Sequence, residues 1–127
     1  MNEKGIMPEI NIFVFLVIFV IAMIVSLYPV AKRAYYAVDL NRAIAANDEQ
    51  QVRHLIERGA DPNWGSSDTT HLIAAVQKDR VAIAKILLET GADVNKKDSI
   101  GRTPLQQAKI LGKKDMVRLL VDAGAHE

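Results

Sequence analysis

Cysteine is absent from the 127 residues, so disulfides, thiolate metal sites and cysteine nucleophiles are all excluded. The missing thiols do not fix a compartment. Charge of one sign is also lacking: 16 Lys and Arg stand against 15 Asp and Glu, a formal net charge of +1. Nucleic-acid binding, which shows as a strongly basic domain, is not expected. Three histidines, His54, His71 and His126, have no metal-ligand spacing, and no HExxH occurs. Solvation or capping is the reading for each of them. No Walker loop and no GxGxxG is present, so neither a small-molecule substrate, nor a cofactor, nor an enzymatic activity is expected. Aromatics are few, with one tryptophan, Trp64.

One long apolar run is present. Ile10 to Tyr28 reads INIFVFLVIFVIAMIVSLY, with Asn11 and Ser26 as its only clearly polar residues and no charge. As a helix rising about 1.5 Å per residue it spans roughly 28 Å, close to the hydrocarbon thickness of a bilayer. Its β-branched residues favour strand in water, but in lipid a single segment must satisfy its own backbone, which demands helix. A core helix of a soluble protein fits poorly, since the remaining sequence has no matching apolar surface. A cleaved signal peptide fits poorly too. The n-region is nearly neutral, with Lys4 against Glu3 and Glu9, and the run is too long. The expected order is an N-terminal tail at 1–9, a transmembrane helix at 10–28, a juxtamembrane linker at 29–37 and a soluble domain at 38–127. Pro29 is placed to kink or end the helix. Ala22 and Ser26 form a small-xxx-small pair of the kind that packs against another helix.

The flanks set an expected orientation. Lys32 and Arg33 follow the segment, while Lys4 stands alone before it. The positive-inside rule then puts the C-terminal domain in the cytoplasm, in a bacterial inner membrane by the compact size. Tyr28, Tyr35 and Tyr36, with Lys32 and Arg33, are the expected membrane-interface residues.

Beyond residue 38 the chain repeats itself. Gly-Ala recurs at Gly59, Gly91 and Gly124, in steps of 32 and 33 residues. Thr70, Leu72 and Ala75 return as Thr103, Leu105 and Ala108. Leu55, Leu87 and Leu120 each stand four residues before the glycine. Asp61-Pro62-Asn63 and Asp93-Val94-Asn95 follow it. Each unit has room for two short helices with one apolar face. The turn between them needs a residue that tolerates a left-handed backbone, and Asn47, Asp79 and Gly112 occupy that place. The repeated glycine marks the end of the second helix.

This pattern resembles the ankyrin repeat family, whose units open on Thr-Pro-Leu-His-x-Ala and close on Gly-Ala-Asp-x-Asn. The Thr103-Pro104-Leu105-Gln106-Gln107-Ala108 copy is the best match. The middle copy has His71 in place of proline, and the first copy, from about Val38, lacks Thr-Pro. The resemblance covers residues 38–127 and implies an all-α solenoid of about three repeats, at about 38–65, 66–98 and 99–127. Neighbouring repeats bury one another's faces, and the end repeats act as caps. Gln106, Gln107, Lys109, Lys113, Lys114 and Arg118 are the expected exposed residues of the last cap. Asp61 and Asp93 are expected to bond backbone in the hairpin turns.

The resemblance also implies protein binding through the hairpin tips and the inner helices. On this chain that means Trp64, Ser66 and Ser67 in the first loop, and Lys97, Ile100 and Arg102 in the second. Gln77, Gln106 and Lys109 are the inner-helix candidates. Trp64 is either tucked onto the stack or offered to a partner. The first loop is one residue shorter than the second, so the two tips are expected to differ. The cluster Lys96, Lys97, Arg102, Lys109, Lys113, Lys114 and Arg118 is either a solvated cap or a surface for an acidic partner or anionic lipid. The stack begins only about ten residues after the apolar run, so the expected partner is a protein at or in the membrane. The expected role is an accessory subunit or a regulator, such as an inhibitor, of that partner; the alternative is a periplasmic module supporting an enzyme there.

Overall fold

The computed structural model describes residues 11–65 and 68–127, and among them are six helices and no strand. These are α1 (Ile12–Ala46), α2 (Glu49–Glu57), α3 (His71–Gln77), α4 (Val81–Glu89), α5 (Pro104–Ile110) and α6 (Lys114–Asp122). The chain divides into two compact units, one ending at Lys32 and the other running from Arg33 to Glu127. The tail at 1–9 and Ile10 lie outside the described residues.

In the first unit, Asn11 starts α1: its Oδ1 accepts from Phe13 N at 3.1 Å and its carbonyl from Val14 N at 2.6 Å. The most apolar 18 residues of α1 have a mean hydropathy of 2.8, and none is buried. By length and composition it is one helix able to cross a membrane. Pro29 lies inside it and does not end it. The segment 29–37, read from sequence as a linker, is therefore helical. A proline inside a helix forfeits one backbone hydrogen bond and crowds the preceding turn, and here the flanking turns carry the helix through.

The second unit is a stack of helix pairs. α3 pairs with α4 and α5 with α6, and the last turns of α1 share a buried core with α2 through Leu40, Ala43 and Ile44 with Val52 and Leu55. Each α-turn-α link turns on the residue foreseen: Asn47 has φ 58, Asp79 φ 55 and Gly112 φ 66. The second helices end at Gly59, Gly91 and Gly124, with φ of 97, 100 and 92. The alanine after each glycine returns a bond to the helix: Ala60, Ala92 and Ala125 donate to Leu55, Leu87 and Leu120 at 2.9 Å. Thr70 and Thr103 cap α3 and α5 through their side chains, and Thr103 with Gln106 closes a capping box.

One continuous core runs through the stack. Leu40, Leu72 and Leu105 form one column, Ala43, Ala75 and Ala108 a second, and Leu55, Leu87 and Leu120 a third. The alanine column keeps neighbouring helices close, and the leucines fill the space beside it. Tyr36, an expected membrane-interface residue, instead packs half-buried against this core. Gln107, expected on the exposed cap, is 7% exposed and accepts from Arg102 Nη1 at 3.3 Å.

Polar side chains hold the hairpins in register. Asn63 Oδ1 accepts from Asp93 N at 2.6 Å while its Nδ2 donates to the Gly91 carbonyl at 2.8 Å. One repeat later, Asn95 Oδ1 accepts from His126 N at 3.2 Å. Replacing Asn63 with alanine removes two inter-repeat bonds and is expected to cost about 1–3 kcal/mol. Asn95→Ala removes one and should cost less. Urea midpoints of the two variants, measured side by side, test the order.

Candidate protein-binding surface

The hairpins are built by short Asx turns. Asp61 Oδ1 accepts from Asn63 N at 2.8 Å, and Asp93 Oδ1 accepts from Asn95 N at 2.9 Å. Further along the second loop, Asp98 Oδ1 accepts from Ile100 N at 3.1 Å and from Arg102 N at 2.8 Å. This folds the tip back so that Ile100 stands 66% exposed. Ser99 then bonds the first loop, with both N and Oγ donating to the Asp68 carbonyl at 3.4 and 3.2 Å. Lys96 Nζ donates to the Asn63 carbonyl. These bonds join the two loops into one surface.

Between them lies a groove of about 360 Å³, lined by Asn63, Trp64, Gly65, Thr69, Thr70, Lys96, Lys97, Asp98 and Ser99. Trp64 forms one wall, 37% exposed. The Arg33 guanidinium lies over its ring, Cζ 5.7 Å from the centroid. Such a pair at a partly exposed site is worth about 0.5–1 kcal/mol. Trp64 is therefore both tucked and offered: one face meets Arg33 and part of the ring stays open. Arg33, an expected membrane-interface residue, is exposed and makes this contact with the Trp64 ring.

The structure brings Trp64 and Lys97 into one groove and puts Ile100 and Arg102 on the same second loop. Ser66 and Ser67 lie outside the described residues. Gln77 is exposed at the end of α3. Gln106 and Lys109 are exposed, but their side chains are engaged, Gln106 in the capping box and Lys109 with Glu127. Their equivalents one repeat earlier, Ile73 and Val76, are fully buried. Gln106 and Lys109 thus belong to the end of the stack rather than to an inner binding face. Tyr28 and Tyr35 are each 64% exposed. The Tyr35 and Tyr36 rings meet edge to face with centroids 5.6 Å apart.

Sequence reasoning missed Lys96, Asp98, Ser99 and Thr69 as groove residues. The available signal was their phase: residues one repeat apart, such as Asn63 and Lys96, come together at each hairpin.

His71, read as solvated or capping, is fully buried. Its Nδ1 meets Asn41 Oδ1 at 2.8 Å. Nε2 finds no partner of good hydrogen-bond geometry among the described residues. Burial pushes its pKa down to about 4, against the opposing pull of the Trp64 backbone and the Asp61 charge.

Gly65 explains part of the first loop's shape. A Cβ there would meet the Thr69 carbonyl oxygen at 2.3 Å and Thr70 Cα at 2.8 Å, both backbone. Gly65→Ala must therefore shift the loop, at a cost of about 1–3 kcal/mol. Gly101, at φ 80 with open space around its Cβ, should cost only about 1–2 kcal/mol on the same change. Trp64 fluorescence should move in the first variant and hold still in the second.

The family model "Ankyrin repeats (3 copies)" matches residues 40–127. The chain belongs to the ankyrin repeat family. Its repeats are 34% identical over 90 residues to the rat Arf-GAP with coiled-coil, ANK repeat and PH domain-containing protein 2, covering 68% of this chain and 12% of the relative. The Arabidopsis thaliana potassium channel GORK is 35% identical over 80 residues, 62% of this chain and 10% of the channel. The Drosophila melanogaster E3 ubiquitin-protein ligase Ufd4 is 44% identical over 71 residues, 55% of this chain and 2% of the ligase. The chain spans a small fraction of these relatives, so the likeness concerns the repeats. As an ankyrin stack, residues 40–127 are a protein–protein interaction module.

Proposed function

We propose that this ankyrin stack is a membrane-anchored binding module, an accessory subunit or regulator of a protein held at the same membrane. The observation that carries the anchor is the apolar part of α1: a mean hydropathy of 2.8 over 18 residues with none of them buried. Isoleucine, phenylalanine and valine side chains from Ile12 to Val30 stand 40–77% exposed. A contiguous exposed apolar surface of this size needs lipid or protein around it. The flanking Lys32 and Arg33 favour a cytoplasmic stack. No catalytic role is assigned: the module works by binding, with the Trp64–Lys97 groove, Ile100 and Arg102 as its contact surface.

Two measurements test the reading. After alkaline extraction the full chain should stay with the membrane pellet, and release into the supernatant defeats the anchor. Pull-downs from detergent should then compare the full chain with one starting at Arg33. Capture of the same partner by both assigns binding to the stack. Capture by the full chain alone moves the interface to α1.

A further inference from the structure

Arg33 belongs to the same unbroken helix as the apolar stretch, since α1 runs from Ile12 to Ala46. Val30 is the last large apolar side chain before it, 54% exposed. Three residues of helix rise about 4.5 Å. With the apolar stretch in a bilayer, the Arg33 guanidinium therefore lies at the depth of the headgroups. The Trp64 ring lies there with it, because Arg33 Cζ stands 5.7 Å from the ring centroid.

Arg33 is exposed and is held by that ring rather than by a carboxylate: none of the ion pairs among the described residues includes it. Trp64, for its part, does not need Arg33 to stay in place. Its N donates to the Asp61 carbonyl at 3.1 Å, and Asn63 before it is tied to Gly91 and Asp93 of the next repeat. Taking the guanidinium away therefore bares the ring and leaves the hairpin standing. The two attractions open to Arg33 are of one size. A cation over a partly exposed ring favours the stacked state about two- to fivefold. An anionic membrane surface favours a nearby Lys or Arg about fivefold. Neither dominates, so the charge of the surface decides.

We propose that Arg33 is a latch over Trp64 that anionic lipid headgroups open. At a neutral surface the guanidinium covers one face of the ring. At an anionic surface it turns to the headgroups, and the freed face becomes part of the groove wall. A bared tryptophan is the kind of side chain that anchors a protein interface, so the groove takes its partner best where the lipid is anionic. This rests on the anchor proposed above and adds a control to it: the membrane that holds the stack also sets how much of its contact surface is open.

Trp64 is the single tryptophan, so its quenching by acrylamide reads the latch. Acrylamide is neutral, and a charged surface does not concentrate it. The full chain is placed in lipid nanodiscs of phosphatidylcholine, or of phosphatidylcholine mixed with phosphatidylglycerol. The expected result is a quenching constant about 1.5- to 2-fold higher in the anionic discs, as the open fraction rises from about a quarter to about a half. Raising salt to about 0.5 M should return it to the neutral value. Arg33→Gln should give the high value in both lipids, and a thermal melt should show its fold unchanged, since the side chain is exposed. Inorganic phosphate added to neutral discs at matched ionic strength should leave quenching as it was; an equal rise there would overturn the assignment to lipid. A chain absent from the disc fraction defeats the anchor and this inference with it. A chain present in the discs with equal quenching in both lipids overturns the latch alone, and so does a response that survives Arg33→Gln. Lower quenching in the anionic discs would mean that Trp64 itself enters the headgroup layer, and overturns it too.

Discussion

Acidification from pH 6.5 to pH 4 is expected to remove about 3 kcal/mol from the stack through His71 alone. The imidazole sits at 0% exposure between the first and second repeats, with pKa lowered from 6.5 to about 4. Desolvation of the charged form is the main cause, and the Lys96 charge adds to it. The unfolded chain takes up its proton near pH 6.5, whereas the folded chain resists until about pH 4. Between those values the unfolded state binds more protons, so stability rises with pH. The contribution is fully present above pH 6.5, falls by about 1.4 kcal/mol per pH unit through the window, and is gone below pH 4. Carboxylates also titrate at the acid end, so the decisive comparison is with His71→Pro. The third repeat already carries proline at this place, Pro104, at the first position of α5 with a threonine cap before it. His71→Pro should therefore fold, and should flatten the urea-midpoint profile between pH 6.5 and 4. An equally steep profile in that variant would place the acid sensitivity elsewhere.

That histidine also marks where the sequence stops being readable. Positions fixed by local backbone chemistry were legible. Asn47, Asp79 and Gly112 adopt φ of 58, 55 and 66 because few residue types tolerate that region. Asp61 and Asp93 close Asx turns because a short carboxylate reaches a backbone N–H two residues on. The leucine and alanine columns were legible because each repeat writes them again. Contacts that no period encodes were not. Asn41 and His71 occur once each at their places, 30 residues apart, and a lone histidine at a helix start looks solvated until its neighbour is known. The Arg33–Trp64 pair joins two residues that the sequence had assigned to different roles. Gln106 and Lys109 were readable in principle. Set against Ile73 and Val76 they show an apolar column turning polar at the last repeat, which is the signature of a cap. The run of α1 through Pro29 had no local signal, because a proline preference describes helix ends on average rather than this helix.

Leu87→Ala is expected to destabilise the stack by about 2–5 kcal/mol, and by more than the same change at either end. Leu87 has 0% exposure in α4, in the column with Leu55 above and Leu120 below. Truncating it leaves a cavity that both neighbouring repeats must share. In a solenoid the stability is a sum of repeat and interface contributions, and the middle repeat owns both interfaces. Leu120 is equally buried, yet it belongs to one interface only, and exposed α6 has freedom to settle into the gap. Leu120→Ala should therefore fall in the lower part of the same range. A domain of this size has about 5–15 kcal/mol in all, so Leu87→Ala removes a large share of it. The transition in urea should also broaden, because the outer repeats lose the element that couples their unfolding. Chemical denaturation of the chain from Arg33, followed by Trp64 fluorescence and far-UV circular dichroism, reads both effects. Trp64 reports the first hairpin and the dichroism reports all helices. In Leu87→Ala the two probes should separate; in Leu120→Ala they should stay together. Coincident transitions in Leu87→Ala would mean that the three repeats unfold as one unit in spite of the cavity, and that the stack is bound more tightly across its interfaces than its nearest-neighbour architecture implies.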